Sequence, residues 1–419
     1  MKKPSLLIIW LTVFIDLIGF GIVVPLVPVF AARFSADSFT IGLILASFSA
    51  LQFVFAPVWG RLSDRIGRRP VMLISTAGAV VSYAIFAIGS GLENPTAALI
   101  TLGIARAFAG AFGGNITVAQ AYIADITPPE HRSKRMGLIG MAFGLGFIFG
   151  PAIGGVSLKH LGITGPGWVA AVFCAANFLL ALFILPESRK PGVGAQAPQR
   201  PHFTQWKHTL TQPGIGLLVI VFFVATLCFS CFEVTLALLV CANFDLDIHN
   251  NKTTATVATY LFVYCGLISA MVQGGMIGRI VKRLGEVRVI TLSLVLTAIS
   301  LAVLPIIKGS GLLSWGILVQ AEGRSWWALL GALGLLAVGS SLTRPPLFGL
   351  LSNLTTAEEQ GANIGVAQGA ASLARIIGQF SAPIILLEIS SYALYFGAAA
   401  ILIVTSFMVA QKLSQRQAG

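Results

Sequence analysis

The stretch Gly60-Arg-Leu-Ser-Asp-Arg-Ile-Gly-Arg-Arg-Pro70 decides the fold. Its eleven residues carry four arginines and one aspartate, yet apolar runs of membrane-spanning length lie on both sides. A charge knot between two such runs reads as a short loop held outside the hydrocarbon. Its positive sign says which side of the membrane it faces.

Composition agrees. The chain has 419 residues, 56% hydrophobic and 10% charged, with a mean hydropathy of +0.88. Soluble domains carry about 25% charged residues, so this chain cannot cover a water-facing surface. It reads as an all-α integral membrane protein whose length holds a dozen spans of ~20 residues. These fall at roughly 6–31, 40–60, 71–91, 97–120, 136–158, 166–186, 214–241, 255–278, 288–307, 326–346, 361–388 and 391–411. The net charge of +12 belongs to loops that orient the chain, so nucleic acid is not an implied partner. Met1-Lys2-Lys3 runs straight into an apolar stretch long enough to span, with no small-residue cleavage site, so no signal peptide is expected.

Charge placement orients the spans. With the N-terminus in the cytoplasm and loops assigned alternately, twenty of the 27 basic residues, Arg344 among them, lie inside. Five lie outside, and Arg106 and Arg375 fall within spans. That bias satisfies the positive-inside rule with both termini cytoplasmic.

The opening stretch also recurs. Gly278-Arg-Ile-Val-Lys-Arg-Leu-Gly-Glu-Val-Arg-Val289 aligns without gaps on Gly60–Val71 at an offset of 218. Glycine at such places permits backbone angles and close approach that a side chain forbids. A loop repeated after the second and eighth spans implies two six-helix pseudo-repeats, 1–190 and 214–419, joined by a cytoplasmic linker at 191–213. Parallel repeats of this kind place a substrate site between the halves, near the bilayer midplane.

These residues resemble the signature loop of the major facilitator superfamily, Gly-x-Leu-x-Asp-Arg-x-Gly-Arg-Arg/Lys-Pro, at Gly60, Leu62, Asp64, Arg65, Gly67, Arg68, Arg69 and Pro70. The resemblance implies a conformational gate made of Gly60, Asp64, Arg65, Gly67, Arg68 and Arg69. In the family this loop docks on the start of the eleventh helix, here near Gly361, and latches the outward-open state. The second copy has Lys282 in place of Asp64, so its latch is expected to be weaker. The fifth span carries Gly137, Gly146, Gly150-Pro151 and Gly154-Gly155, similar to the glycine pattern of the superfamily's proton-driven antiporters. Gly146, Gly150 and Gly154 recur every four residues, a smooth stripe for a neighbouring helix. Asp16-Leu-Ile-Gly-Phe-Gly-Ile-Val-Val-Pro, Arg106-Ala-Phe-Ala-Gly110 and Ala121-Tyr-Ile-Ala-Asp125 resemble bacterial tetracycline efflux proteins. Those proteins also carry aspartates in helices 3 and 9, where this chain has Ser82 and an acid-free stretch at 289–304. The resemblance implies export, without tetracycline and magnesium as the cargo.

Charges inside spans mark ion or substrate pathways. Asp16 lies ~15 Å into the first span, with Arg106 at similar depth in the fourth. Asp16 reads as the proton-titrating carboxylate, Arg106 as its partner or modulator and Glu233 as a second proton-coupling candidate. Gln52, Asn115, Tyr260, Tyr264, Gln273 and Arg375 are the candidates for the substrate cavity, and Arg375 suits an anionic group. Cys228 and Cys231 have CxxC spacing but read as small apolar side chains one turn apart, and the five histidines show no ligand spacing. No metal, cofactor or catalytic cluster is expected.

The sequence therefore reads as a proton-coupled antiporter, a monomer of the bacterial inner membrane, exporting small, partly apolar organic compounds. The proton gradient supplies the energy, since no Gly-rich phosphate loop is present. The alternative is a symporter or exchanger of the same fold carrying an amino acid, sugar or siderophore. A membrane-embedded enzyme would need clustered nucleophiles or paired acids, and a channel would not need the repeat.

Overall fold

The computed structural model describes residues 5–23, 26–34, 38–188, 201–246, 251–310 and 323–417. Among them there is no strand, and eleven helices are long and apolar enough to cross a membrane. Helices dominate because each must satisfy its own backbone groups where water is absent.

The first half of the chain runs through α1 (Leu6–Val23), α2 (Leu26–Arg33), α3 (Ser38–Ile66), α4 (Arg68–Ser90), α5 (Pro95–Phe112), α6 (Asn115–Asp125), α7 (Arg132–Leu161) and α8 (Gly165–Ile184). After α9 (His202–Thr211) come α10 (Ile215–Asn243), α11 (Asn251–Met271), α12 (Ile277–Leu284) and α13 (Glu286–Val303). The chain finishes with α14 (Gly323–Leu354), α15 (Gln360–Ile384) and α16 (Ser391–Gln417). The 25-residue α15 is not among the eleven apolar helices. It is shielded instead by lying along α3 and α10.

The expected loop at Gly60–Pro70 is almost entirely helical. The α3 helix continues to Ile66, α4 begins at Arg68, and only Gly67 stands between them, with φ +101°. Gly285, at the matching place in the second copy, has φ +77° between α12 and α13. Both conformations cost an L side chain strain that glycine avoids.

Two other expectations need correction. The fourth span is interrupted at Gly113–Gly114. There Trp59 Nε1 donates to the Ala111 carbonyl at 2.6 Å, and the Ser75 hydroxyl donates to that of Phe112. Side chains thus satisfy backbone oxygens the break would orphan. The linker is also more than a tether. Residues 191–200 lie outside the described residues, but α9 is folded against the bundle. Its Thr209 hydroxyl donates to Asn363 Oδ1 at 2.7 Å, and Trp206 packs on Phe53 with ring centroids 5.5 Å apart.

The glycine pattern of α7 serves two neighbours. A Cβ at Gly146, Gly150 or Gly154 would press on Leu17, Gly21 and Ile22 of α1, so this stripe lets two backbones touch. Gly137 and Gly140 face Gln273 instead, within a single π turn (Val272–Met276) between α11 and α12. The Gln273 side chain occupies the place a Cβ on Gly140 would need. Gly155 meets nothing within 4 Å, and Pro151 lies inside the continuous helix.

Candidate functional site: a charged central cavity and its latch

A cavity of about 370 Å³ lies between the two halves of the chain. Asp16 reaches it from α1, and the break before α6 brings Asn115 to the same cavity, within electrostatic reach of the Asp16 carboxylate. The Cys174 thiol is 4.0 Å away. Among the described residues no ion pair joins Asp16 to Arg106, which corrects the expected pairing. The Arg106 guanidinium lies over the rings of Phe48 (4.5 Å) and Phe20 (5.9 Å), and Tyr83 is within electrostatic reach of both charges. Phenylalanine faces attract a guanidinium where water cannot.

Elsewhere in the cavity, Gln52 of α3 accepts from Arg375 Nη2 at 2.6 Å and from the Ser372 hydroxyl at 3.0 Å, tying α3 to α15. Glu233 and Gln273 also line the cavity. Two expected cavity residues do not. Tyr260 is exposed on the outer surface, and the Tyr264 hydroxyl donates to the Leu330 carbonyl at 3.1 Å, a bond between packed helices.

Sequence reasoning missed Arg344. Charge placement counts it with the cytoplasmic basic residues although it falls within the expected tenth span, 326–346, and α14 carries it well inside the helix, running through Pro345-Pro346 to Leu354. Its guanidinium lies 5.8 Å from the Phe222 ring and 5.9 Å from that of Phe143, facing the cavity. The signal was present: span-length apolar sequence continues beyond the prolines.

The latch lies roughly 20 Å from Arg375 along α15, fourteen residues at 1.5 Å each. Asp64, 2% exposed, accepts from the backbone N–H of Gly361 (3.0 Å) and Ala362 (2.7 Å) at the N-terminus of α15. A carboxylate there meets unpaired N–H groups and the positive end of the helix dipole. Arg68 orients it, donating to Asp64 at 2.7 Å, to the Ser63 hydroxyl at 2.7 Å and to Asp125 at 2.9 Å. Glu187 repeats the device at the start of α4, accepting from the N–H of Arg68 and Arg69 at 2.9 and 3.0 Å. Gly60 is pressed directly on Gly361, and Gly365 and Gly369 continue that contact along α3. Arg69 caps the Leu182 carbonyl at 2.7 Å. Arg65 points outward, exposed, and makes no hydrogen bond or ion pair among the described residues. Asp125 and Glu187, which the signature does not include, complete the network.

Between latch and cavity centre, Gln368 donates to Gln120 at 2.9 Å. The second copy closes the same end differently. Ser133 at the start of α7 donates to Glu286 at 2.6 Å, and Arg132 donates to the Ser352 carbonyl at 2.9 Å.

Membrane-length helices around a charged cavity lined by both halves define a solute transporter. Residues 9–321 match the Major Facilitator Superfamily, and the chain belongs to that family. It is 33% identical to the class C tetracycline resistance protein of Escherichia coli over 386 residues, 90% of this chain and 89% of that one. The class E protein of the same organism is 32% identical over 374 residues, 87% of this chain and 84% of the other. The crystal structure of the human organic anion transporter MFSD10 superposes with a TM-score of 0.77 at 24% identity, covering 97% of this chain and 100% of that one. The resemblance to tetracycline efflux proteins therefore extends over most of the chain.

Proposed function

We propose that this protein is a proton-coupled antiporter that exports small, partly apolar organic compounds by alternating access. The observation that carries it is the cavity itself, in which intramembrane carboxylates from both halves of the chain, Asp16 and Glu233, share one apolar, phenylalanine-rich space. An adjacent cation favours the charged form of an acid and desolvation the neutral form. Rocking of one half against the other changes both, so each carboxylate is a place to load and release a proton. Asp16, near Asn115, is the principal carrier. The relatives named for tetracycline resistance support the outward direction.

The chain crosses the membrane twelve times, α15 supplying the twelfth span beside the eleven apolar ones, as two six-helix halves (1–190 and 214–419). Both termini are cytoplasmic, in the inner membrane of a bacterium. The protein works as a monomer without cofactor, driven by the proton gradient, and performs no chemical conversion. Asp64, Arg68 and their partners hold the cytoplasmic end shut, and breaking the Asp64 bonds to α15 opens it.

Inside-out vesicles containing the protein test this. On imposing a proton gradient, an exported compound should be taken up and should dissipate the gradient. Asp16→Asn should abolish gradient-driven uptake while leaving binding of the compound in place. An Asp16→Asn protein that still couples uptake to protons would refute the assignment, and a substrate panel that never discharges the gradient would refute antiport.

A further inference from the structure

Five charged side chains line the cavity: Asp16 and Glu233 against Arg106, Arg344 and Arg375. Guanidinium groups are in excess, and their surroundings differ. Arg106 is 4% exposed and packed on two phenylalanine faces. Arg344 and Arg375 line the same cavity as Glu233, within electrostatic reach of it and of each other. Among the described residues, however, no ion pair within 4.0 Å joins Glu233 to either. Arg375 commits Nη2 to Gln52 and Ser372, leaving Nη1 and Nε without a hydrogen bond among the described residues. Arg344 makes none, its contacts being the faces of Phe143 and Phe222. Ser230 and Ser341, each 1% exposed and without a hydrogen-bond partner among the described residues, line the same cavity from α10 and α14.

Two guanidinium forks with unused donors, two unpartnered hydroxyls and an adjoining wall of phenylalanines suit one chemistry. It is a compound with a flat apolar body and a single anionic group, which planar guanidinium forks bind through paired hydrogen bonds. We propose that Arg344 and Arg375 form a seat for that anionic group, with Glu233 as the protein's own anion, whose longer-range attraction for both the arriving group displaces. Arg344 is thus a specificity-determining residue. The seat rests on the transporter reading above and adds the substrate class to it.

Purified full-length protein in detergent tests the seat without any gradient. The probes are 2-naphthalenesulfonate, a permanent anion, its neutral sulfonamide, and the 2-naphthyltrimethylammonium cation, compared by equilibrium dialysis. The sulfonate should bind at least about tenfold tighter than either counterpart, the worth of a charge-assisted hydrogen bond. Equal or tighter binding of the sulfonamide or the cation would overturn the proposal, and this comparison needs no variant to fold. Arg344→Gln should weaken the sulfonate at least about tenfold and leave the sulfonamide unchanged; an unchanged sulfonate would remove Arg344 from the seat.

Glu233→Gln gives the deciding sign. Removing a competing anion should tighten sulfonate binding several-fold, whereas a carboxylate that merely positions the arginines would give weaker binding and refute displacement. Failure of the seat and failure of antiport separate cleanly. Sulfonate binding with no proton movement in vesicles leaves the seat and sinks antiport. Proton-coupled transport of the cation, with no sulfonate binding, sinks the seat and leaves antiport.

Discussion

The two copies of the repeated stretch, Gly60–Pro70 and Gly278–Val289, share a backbone and differ in chemistry. In each, one helix ends, a single glycine takes a positive φ (Gly67 at +101°, Gly285 at +77°), and the next helix starts at once. At Gly67 the Glu187 carboxylate fills the space a Cβ would need, whereas at Gly285 nothing lies within 4 Å. Asp64 is buried under the N-terminus of α15, while its counterpart Lys282 is exposed. A repeated backbone therefore does not carry a repeated latch. The glycine sets the turn, and the acid, with a guanidinium to hold it, sets the grip.

Replacing Asp64 should break the comparison hardest. Asp64→Ala uncaps α15 and removes one of two carboxylates from Arg68, which is 0% exposed. Arg68 keeps Asp125, but its other arm and two buried N–H groups lose a charged partner, at a cost of about 3 kcal/mol or more. Equilibrium unfolding in mixed micelles should show that loss, and transport in vesicles should fall with it. A variant as stable and as active as the parent would mean that the two copies are equivalent after all.

Glycine substitutions sharpen the contrast. Gly285→Ala should cost about 1–2 kcal/mol, the strain of an alanine held at φ +77° and ψ 158°, a region essentially confined to glycine. Gly67→Ala should cost clearly more in the same unfolding assay, because Glu187 must also move. Equal losses would mean that Glu187 grips α4 no more tightly than solvent does.

The second copy has its own bond, and Ser133→Ala should remove about 1 kcal/mol by taking the hydroxyl from Glu286. The smallest effect should come from Lys282→Ala, within about 0.5 kcal/mol and without a change in transport rate. A larger loss there would reveal a grip in the second copy that its exposed lysine does not suggest.

Much of the fold was legible in the chain because hydropathy is a local property. Span-length apolar runs and the basic clusters between them can be read without knowing any partner. Gly67 and Gly285 were legible for the same reason, since backbone freedom belongs to one residue. The site was less so. Arg344 counted as a cytoplasmic charge because its expected span ends two residues beyond it, yet α14 continues through Pro345-Pro346 to Leu354. Tyr260 and Tyr264 looked central by depth, but depth does not tell which face of a helix a residue occupies. One faces outward and the other bonds Leu330. Asp125 and Glu187 are unremarkable acids until Arg68 and the start of α4 come within 3 Å of them.

The sequence by itself determined that this chain is a helical membrane protein of the Major Facilitator Superfamily with a repeated basic turn, because spans, charge bias and glycine spacing are carried by neighbouring residues. Only the tertiary structure decided the pairings. Asp64 grips Gly361 and Ala362 from 297 and 298 residues away, Arg375 meets Gln52 across 323, and Asp16 sits near Asn115 with no ion pair to Arg106 among the described residues. Such contacts depend on which helix faces pack together, and packing is a property of the whole bundle.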